Sequence, residues 1–168
     1  MTRIRRSICL TTGAVLLGAL TGCANPVRQL TPTTDTSYWS GRMSVHVLDS
    51  PPQTTSGSFE LQGNADNGEL VLLTPLGNIV ARVQWDASHA KITQGSQTRQ
   101  ADSLDSLIQD LLGTNLPIAA LFDWLNGQET RTQGWSADLS ARSDGKILAR
   151  RTSPLPEASL RIVLDEQH

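Results

Sequence analysis

From Trp39 onward the chain alternates apolar and polar residues with period two, broken at short intervals by clusters of turn-forming residues. Trp39, Gly41, Met43, Val45 and Val47 alternate with Ser40, Arg42, Ser44, His46 and Leu48, which gives a strand one apolar and one mostly polar face. Asp49 to Gln53 contains two adjacent prolines and ends that strand. Phe59 and Leu61 mark a second strand, Glu69 to Leu73 a third, and Ile79, Ala81, Val83 and Trp85 a fourth. Shorter, more polar strands are expected at Ala90–Thr93 and Thr98–Ala101. Hairpins in this succession specify an antiparallel meander rather than βαβ units.

The period then changes. Leu104, Leu107, Ile108 and Leu111 recur at helical spacing, with Asp102 as the expected N-cap and Gly113 just past the end. After Pro117, Ile118, Leu121, Phe122 and Leu125 repeat the spacing up to Gly127. Each stripe predicts a helix lying against the sheet on one side. Strands return at Trp135–Ser140, Ile147–Arg151, and Leu160, Ile162 and Leu164. The expected fold is mainly β with two to three short helices. About nine to eleven twisted strands tend to curl, giving a half-open antiparallel barrel with a hydrophobic cavity and the helices as its lid. Only four Trp, two Phe and one Tyr are present, so the core is expected to rest on aliphatic residues.

The segment ahead of this body reads as an address. Met1 to Arg6 carries three arginines and no acid, Ser7 to Leu20 is apolar or small, and Leu20-Thr21-Gly22-Cys23 follows. That order resembles the bacterial lipobox, in which the signal is cleaved before a lipidated cysteine. The reading divides the chain into a signal at 1–22, lipidated Cys23 with a tether to residue 37, and one domain at 38–168. Without the signal the chain has 11 basic and 16 acidic residues, a net charge of −5. Attachment to a membrane must then come from acyl chains, since anionic head groups repel such a body. Ala24 after the cysteine resembles the sorting rule for outer-membrane lipoproteins.

Charge and motif content exclude several function classes. A sequence pI near 5.9 argues against nucleic-acid binding. No stretch of 18 apolar residues is present. Two cysteines and three scattered histidines suggest no metal site, and no cofactor is expected. Nucleophile-elbow, P-loop, zincin and dinucleotide fingerprints are missing, so no catalytic residue is assigned and the protein is not expected to be an enzyme. An esterase would have to recruit His46, which the alternation puts on a polar face.

One loop stands out. In Thr74-Pro75-Leu76-Gly77, Pro75 and Gly77 suit positions i+1 and i+3 of a type I turn, which leaves an apolar residue, Leu76, on the tip. Gly41-Arg42, Ser56–Gln62, Glu69–Trp85 around this loop, Asp102–Gly113, and Leu116-Pro117 through Trp124-Leu125-Asn126-Gly127 together resemble the outer-membrane lipoprotein LolB family. The resemblance implies a lipid-anchored protein on the periplasmic face of the outer membrane of a Gram-negative bacterium. It implies acceptance of acylated lipoproteins from the carrier LolA and their insertion into that membrane, without catalysis. Pro75, Leu76 and Gly77 correspond to the insertion loop. Candidate cavity walls are Trp39, Met43, Val45, Phe59, Leu61, Leu70, Leu72, Ile79, Val83 and Trp85, with Leu107, Leu111, Leu121, Trp124 and Leu125 from the lid. The chain ends soon after Leu164, short for that family, which leaves open whether the barrel is complete at its C-terminal edge. A monomer is expected. The alternative is a lipoprotein that binds another hydrophobic ligand, or an envelope-assembly scaffold with a dry core.

Overall fold

The computed structural model describes residues 37–166; the signal, Cys23, the tether up to residue 36 and His168 lie outside them. Nine strands form one antiparallel sheet: β1 (Ser37–Leu48), β2 (Gln53–Gly63), β3 (Gly68–Leu73), β4 (Ile79–Trp85), β5 (Ala90–Gln94), β6 (Gln97–Ala101), β7 (Trp135–Asp138), β8 (Lys146–Arg151) and β9 (Glu157–Leu164). Helices α1 (Leu104–Leu112) and α2 (Ile118–Leu125) separate β6 from β7, and a short 3₁₀ turn at Arg142–Asp144 precedes β8.

The sheet order is β6-β5-β4-β3-β2-β1-β9-β8-β7, so β1 pairs with β9 across most of the chain's length. The first six strands are the expected meander. The last three form a second meander that joins it through β9, which lies inside the sheet between β1 and β8. The edges are β6 and β7. They share no ladder among the described residues, so this is an open, barrel-like sheet.

The inward residues of β1, β2 and β4 are buried as the alternation requires. The structure corrects the position of Ile79. Leu72 pairs with Ala81 but Leu73 pairs with Ile79, so one extra residue bulges β4 at Val80. A bulge reverses the inward–outward parity beyond it. Ile79 therefore lies opposite outward-facing Leu73 and is 52% exposed.

The helices show two further differences. The N-cap of α1 is Ser103 rather than Asp102, and neither end relies on a side-chain cap. Leu112 is fully buried on α1 while Leu111 is only partly so. In α2, six of eight residues are buried, including Ala120 and Trp124, which fall outside the expected stripe. The buried arc is then too wide for a helix that merely rests on a sheet. The core also departs from the aliphatic expectation, because all four tryptophans and both phenylalanines are buried in it.

Gly113 closes α1 in the left-handed region at φ 75° and donates its N–H to Gln109 O. A Cβ there would press on the flexible end of Gln53 and make ordinary contact with Val47. Gly113→Ala is accordingly expected to cost about 1 kcal/mol, the backbone penalty alone, measured by urea unfolding of the full chain.

Candidate functional site

Phe122 of α2 lies edge-on to Trp39 of β1 and Trp85 of β4, with ring centroids 5.5 Å and 6.4 Å away. Those strands are three places apart in the sheet, about 14 Å if it were flat. One ring reaching both places α2 on the concave face of a curved sheet. At the other side of the helix Trp124 meets Trp135 of the edge strand β7 at 6.3 Å. Helix α1 packs on β5 and β6. Thus α1 lies against one edge of the sheet and Trp124 of α2 against the strand at the other.

The buried indoles of Trp85, Trp124 and Trp135 each donate the N–H to a backbone carbonyl, as burial of a polar group demands. Trp124 donates to Thr130 O at 2.9 Å, Trp135 to Asn115 O at 2.8 Å, and Trp85 to the carbonyls of Asn64 and Ala65 at 3.1 Å. The C-terminus of α2 is held by Arg142, whose Nε and Nη2 donate to Leu125 O at 3.0 Å and 2.5 Å. A cation and two donors at a helix C-terminus satisfy an otherwise unpaired carbonyl and complement the dipole.

Of the candidate wall residues, Trp39, Met43, Val45, Phe59, Leu61, Leu70, Leu72, Val83, Trp85, Leu107, Leu121, Trp124 and Leu125 belong to one continuous buried cluster. Leu111 packs partly against it and Ile79 lies outside. Phe122, Ile147, Leu160 and Ile162 also belong to the cluster, although they are not among the expected wall residues. The same spacing signals mark all four. For the last three, the spacing gives no hint that β9 brings them onto the meander's inner face.

Two clefts border the cluster. One of about 410 Å³, beside Asp138, Ser140 and Ala141, reaches Ile147 and Ile162. The other, about 370 Å³, lies between Asp49, the end of α1, and Pro154-Leu155-Pro156. It is the more polar of the two by its residues. Arg151 enters it buried, 5.8 Å over the Trp135 ring, and donates Nη2–H to Pro156 O at 2.9 Å. Thr114 Oγ1, Asn115 Oδ1 and Arg151 Nε, all from residues lining this cleft, find no hydrogen-bond partner in the protein. Burial also pulls the Arg151 guanidinium below its ordinary pKa.

The loop at Thr74–Gly77 is a hydrogen-bonded turn. Gly77 N–H donates to Thr74 O at 2.9 Å, Thr74 N–H to Asn78 O at 2.8 Å, and Asn78 N–H to Thr74 Oγ1 at 3.1 Å. Gly77 takes φ 81°, where a β-carbon would be strained even in open space. The turn holds Leu76 at its tip, 88% exposed.

The histidines occupy polar settings. His46 sits on the outer face between Thr54 and Ser159. His89 lies in an exposed turn where Ser88 Oγ is 2.7 Å from Nδ1 and 2.9 Å from Asp86 Oδ1. That trio is a local turn. Hydrogen bonds from the Ser88 N–H, the Ser88 hydroxyl and the His89 N–H hold the Asp86 carboxyl below its usual pKa.

The profile of the family described as outer membrane lipoprotein LolB matches residues 38–154. The outer-membrane lipoprotein LolB of Bordetella petrii is 27% identical over 91% of this chain and 90% of its own length. That of Ralstonia nicotianae is 34% identical over 70% of this chain and 63% of its own. That of Cupriavidus taiwanensis is 33% identical over 88% of this chain and 73% of its own. With a profile spanning most of the described residues, the chain belongs to the outer-membrane lipoprotein LolB family.

Proposed function

We propose that this protein receives acylated lipoproteins from the carrier LolA at the periplasmic face of the outer membrane and passes them into that membrane without catalysis. In this reading Cys23 carries the lipid anchor and the body works as a monomer with no cofactor. Acyl chains enter the concave side of the sheet, where α2 gives way to them. A triacylated anchor holds roughly forty methylenes, each worth about 0.8 kcal/mol of burial. Release into water is therefore opposed by tens of kcal/mol, and only an apolar container can hand the cargo on. The observation that carries the reading is Leu76, 88% exposed at the tip of a hydrogen-bonded turn, on a sheet whose other apolar residues mostly face inward.

A second reading, an envelope-assembly lipoprotein with a dry core, is favoured by the close contact of Phe122 with Trp39 and Trp85. Photoreactive acyl chains on a lipoprotein delivered by LolA decide between them. Crosslinks are expected on concave-face residues such as Phe59, Leu61 and Phe122. Crosslinks confined to outward residues such as Arg42 and Ser58 would exclude the container and leave the scaffold.

A further inference from the structure

The antiparallel order sends the connections 49–52, 74–78, 95–96 and 152–156 to one end of the sheet, and 64–67, 86–89 and 139–145 to the other. The two ends differ in chemistry. At the first end Leu48 is 54% exposed, Leu155 78% and Leu76 88%, from three separate hairpins, and the bulge adds Ile79 and Val80. Pro51, Pro52 and Pro154 accompany them, all exposed. The charges there are Asp49 and, opening β9 opposite Leu48, Glu157, against buried Arg151 at the end of β8 and exposed Arg131 ahead of β7. At the second end the connections carry Asp66, Asp86 and Asp144 against Arg142, with exposed Lys91 and Lys146 in the first residues of the strands that leave it. Asp102 before α1 and Asp165 and Glu166 after β9 add to that acidity. Of the large apolar side chains that are exposed among the described residues, only Tyr38 lies toward the acidic end.

We propose that the first end is a bilayer-docking face, on which Leu48 and Leu155 enter the lipid surface together with Leu76. Three separated apolar tips define a plane, whereas a single leucine fixes only a point, so the face sets the tilt at which cargo leaves. Its near-neutral loops meet a bilayer without the repulsion that the acidic end would suffer from anionic head groups. Such extended apolar exposure marks an interaction surface.

The chain before the body is long enough to allow this orientation. Residues 24–36 can span about 45 Å at full extension. Strand β1, which starts at the acidic end, is 12 residues or about 40 Å long. A body anchored through Cys23 can therefore place its far end on the same membrane.

The inference rests on the membrane-delivery reading, and one labelling series separates the two. Leu48→Cys, Leu76→Cys, Leu155→Cys and Asp66→Cys variants of the full lipidated chain, carrying an environment-sensitive fluorophore, are placed in phosphatidylethanolamine–phosphatidylglycerol vesicles. Labels at 48, 76 and 155 are expected to shift to the blue and to be quenched by iodide at least threefold less than the label at 66. Shielding at 76 with 48 and 155 as open as 66 overturns the face and keeps the loop. A label at 76 as open as that at 66 overturns both. Shielding of 48 and 155 that appears only when LolA is added makes this a protein interface and also overturns the proposal.

Discussion

Leu76→Glu is expected to leave the fold and the acceptance of cargo unchanged and to reduce insertion into membranes on the order of a hundredfold. The side chain is 88% exposed and its turn is closed by backbone hydrogen bonds and Thr74, so the substitution removes no packing. Surface changes of this kind stay within about 0.5 kcal/mol of stability. At a lipid surface the balance differs. A leucine loses about 2 kcal/mol of burial when removed from an apolar phase, and a carboxylate that must be kept in water adds a further penalty of at least about 1 kcal/mol. Together these exceed about 3 kcal/mol, some two decades in rate or equilibrium. Leu76→Phe is expected to retain delivery. The measurement is transfer of lipoprotein from LolA to the variant, followed by recovery of cargo in floated liposomes. Undiminished insertion by the glutamate variant would remove the loop from the mechanism.

Phe122→Ala is expected to act in opposite directions on stability and on ligand uptake. Truncation of a buried phenylalanine costs about 3–5 kcal/mol, through lost transfer energy and the cavity left behind. Here the ring also forfeits its edge contacts with Trp39 and Trp85. That is a large share of the roughly 5–15 kcal/mol typical of a domain. If α2 must leave the concave face before an acyl chain can enter, a weaker seat for α2 raises the fraction of open molecules and hence the apparent affinity. A fluorescent fatty acid is then expected to bind the variant several-fold more tightly than the parent, while urea unfolding shows the loss of stability. Phe122→Leu, which keeps most of the volume, should show both effects at smaller size. Reduced stability with no gain in uptake for either variant would mean that Phe122 is core packing alone and that the concave face is not a binding site.

Whether a feature of this fold is legible in the amino-acid sequence depends on the range of the interactions that create it. Val45, Phe59, Val83 and their strand neighbours obey a local rule, and the alternation locates them correctly. Thr74–Gly77 is also local, since Pro and Gly at fixed positions specify the turn by their own backbone preferences. The bulge at Val80 is not of that kind. It exists because β4 must fit the end of β3, and no residue within β4 announces it, so the alternation carries Ile79 inward where the register turns it out. Ala120 escapes the helical stripe of α2 for a related reason, and Trp124, although expected among the lid walls, lies off that stripe too. A periodic stripe reports the apolar face a helix needs on one flank, whereas the enclosure of α2 arises from Trp135, which lies on a strand outside the helix. The pairing of β1 with β9 joins residues more than a hundred positions apart and leaves no trace in either strand's pattern.

The missing ladder between β6 and β7 has a mechanical meaning. Around a sealed cylinder, any increase in circumference must rupture a row of backbone hydrogen bonds. In this protein the clasp is made of side chains, through α1 on β5 and β6 and through Trp124 on Trp135. Undoing it would cost apolar contacts rather than a ladder, and the acyl chain of the proposed function would replace those contacts in kind. Under the proposed function, expansion and filling would then proceed as a single exchange, with no external source of energy.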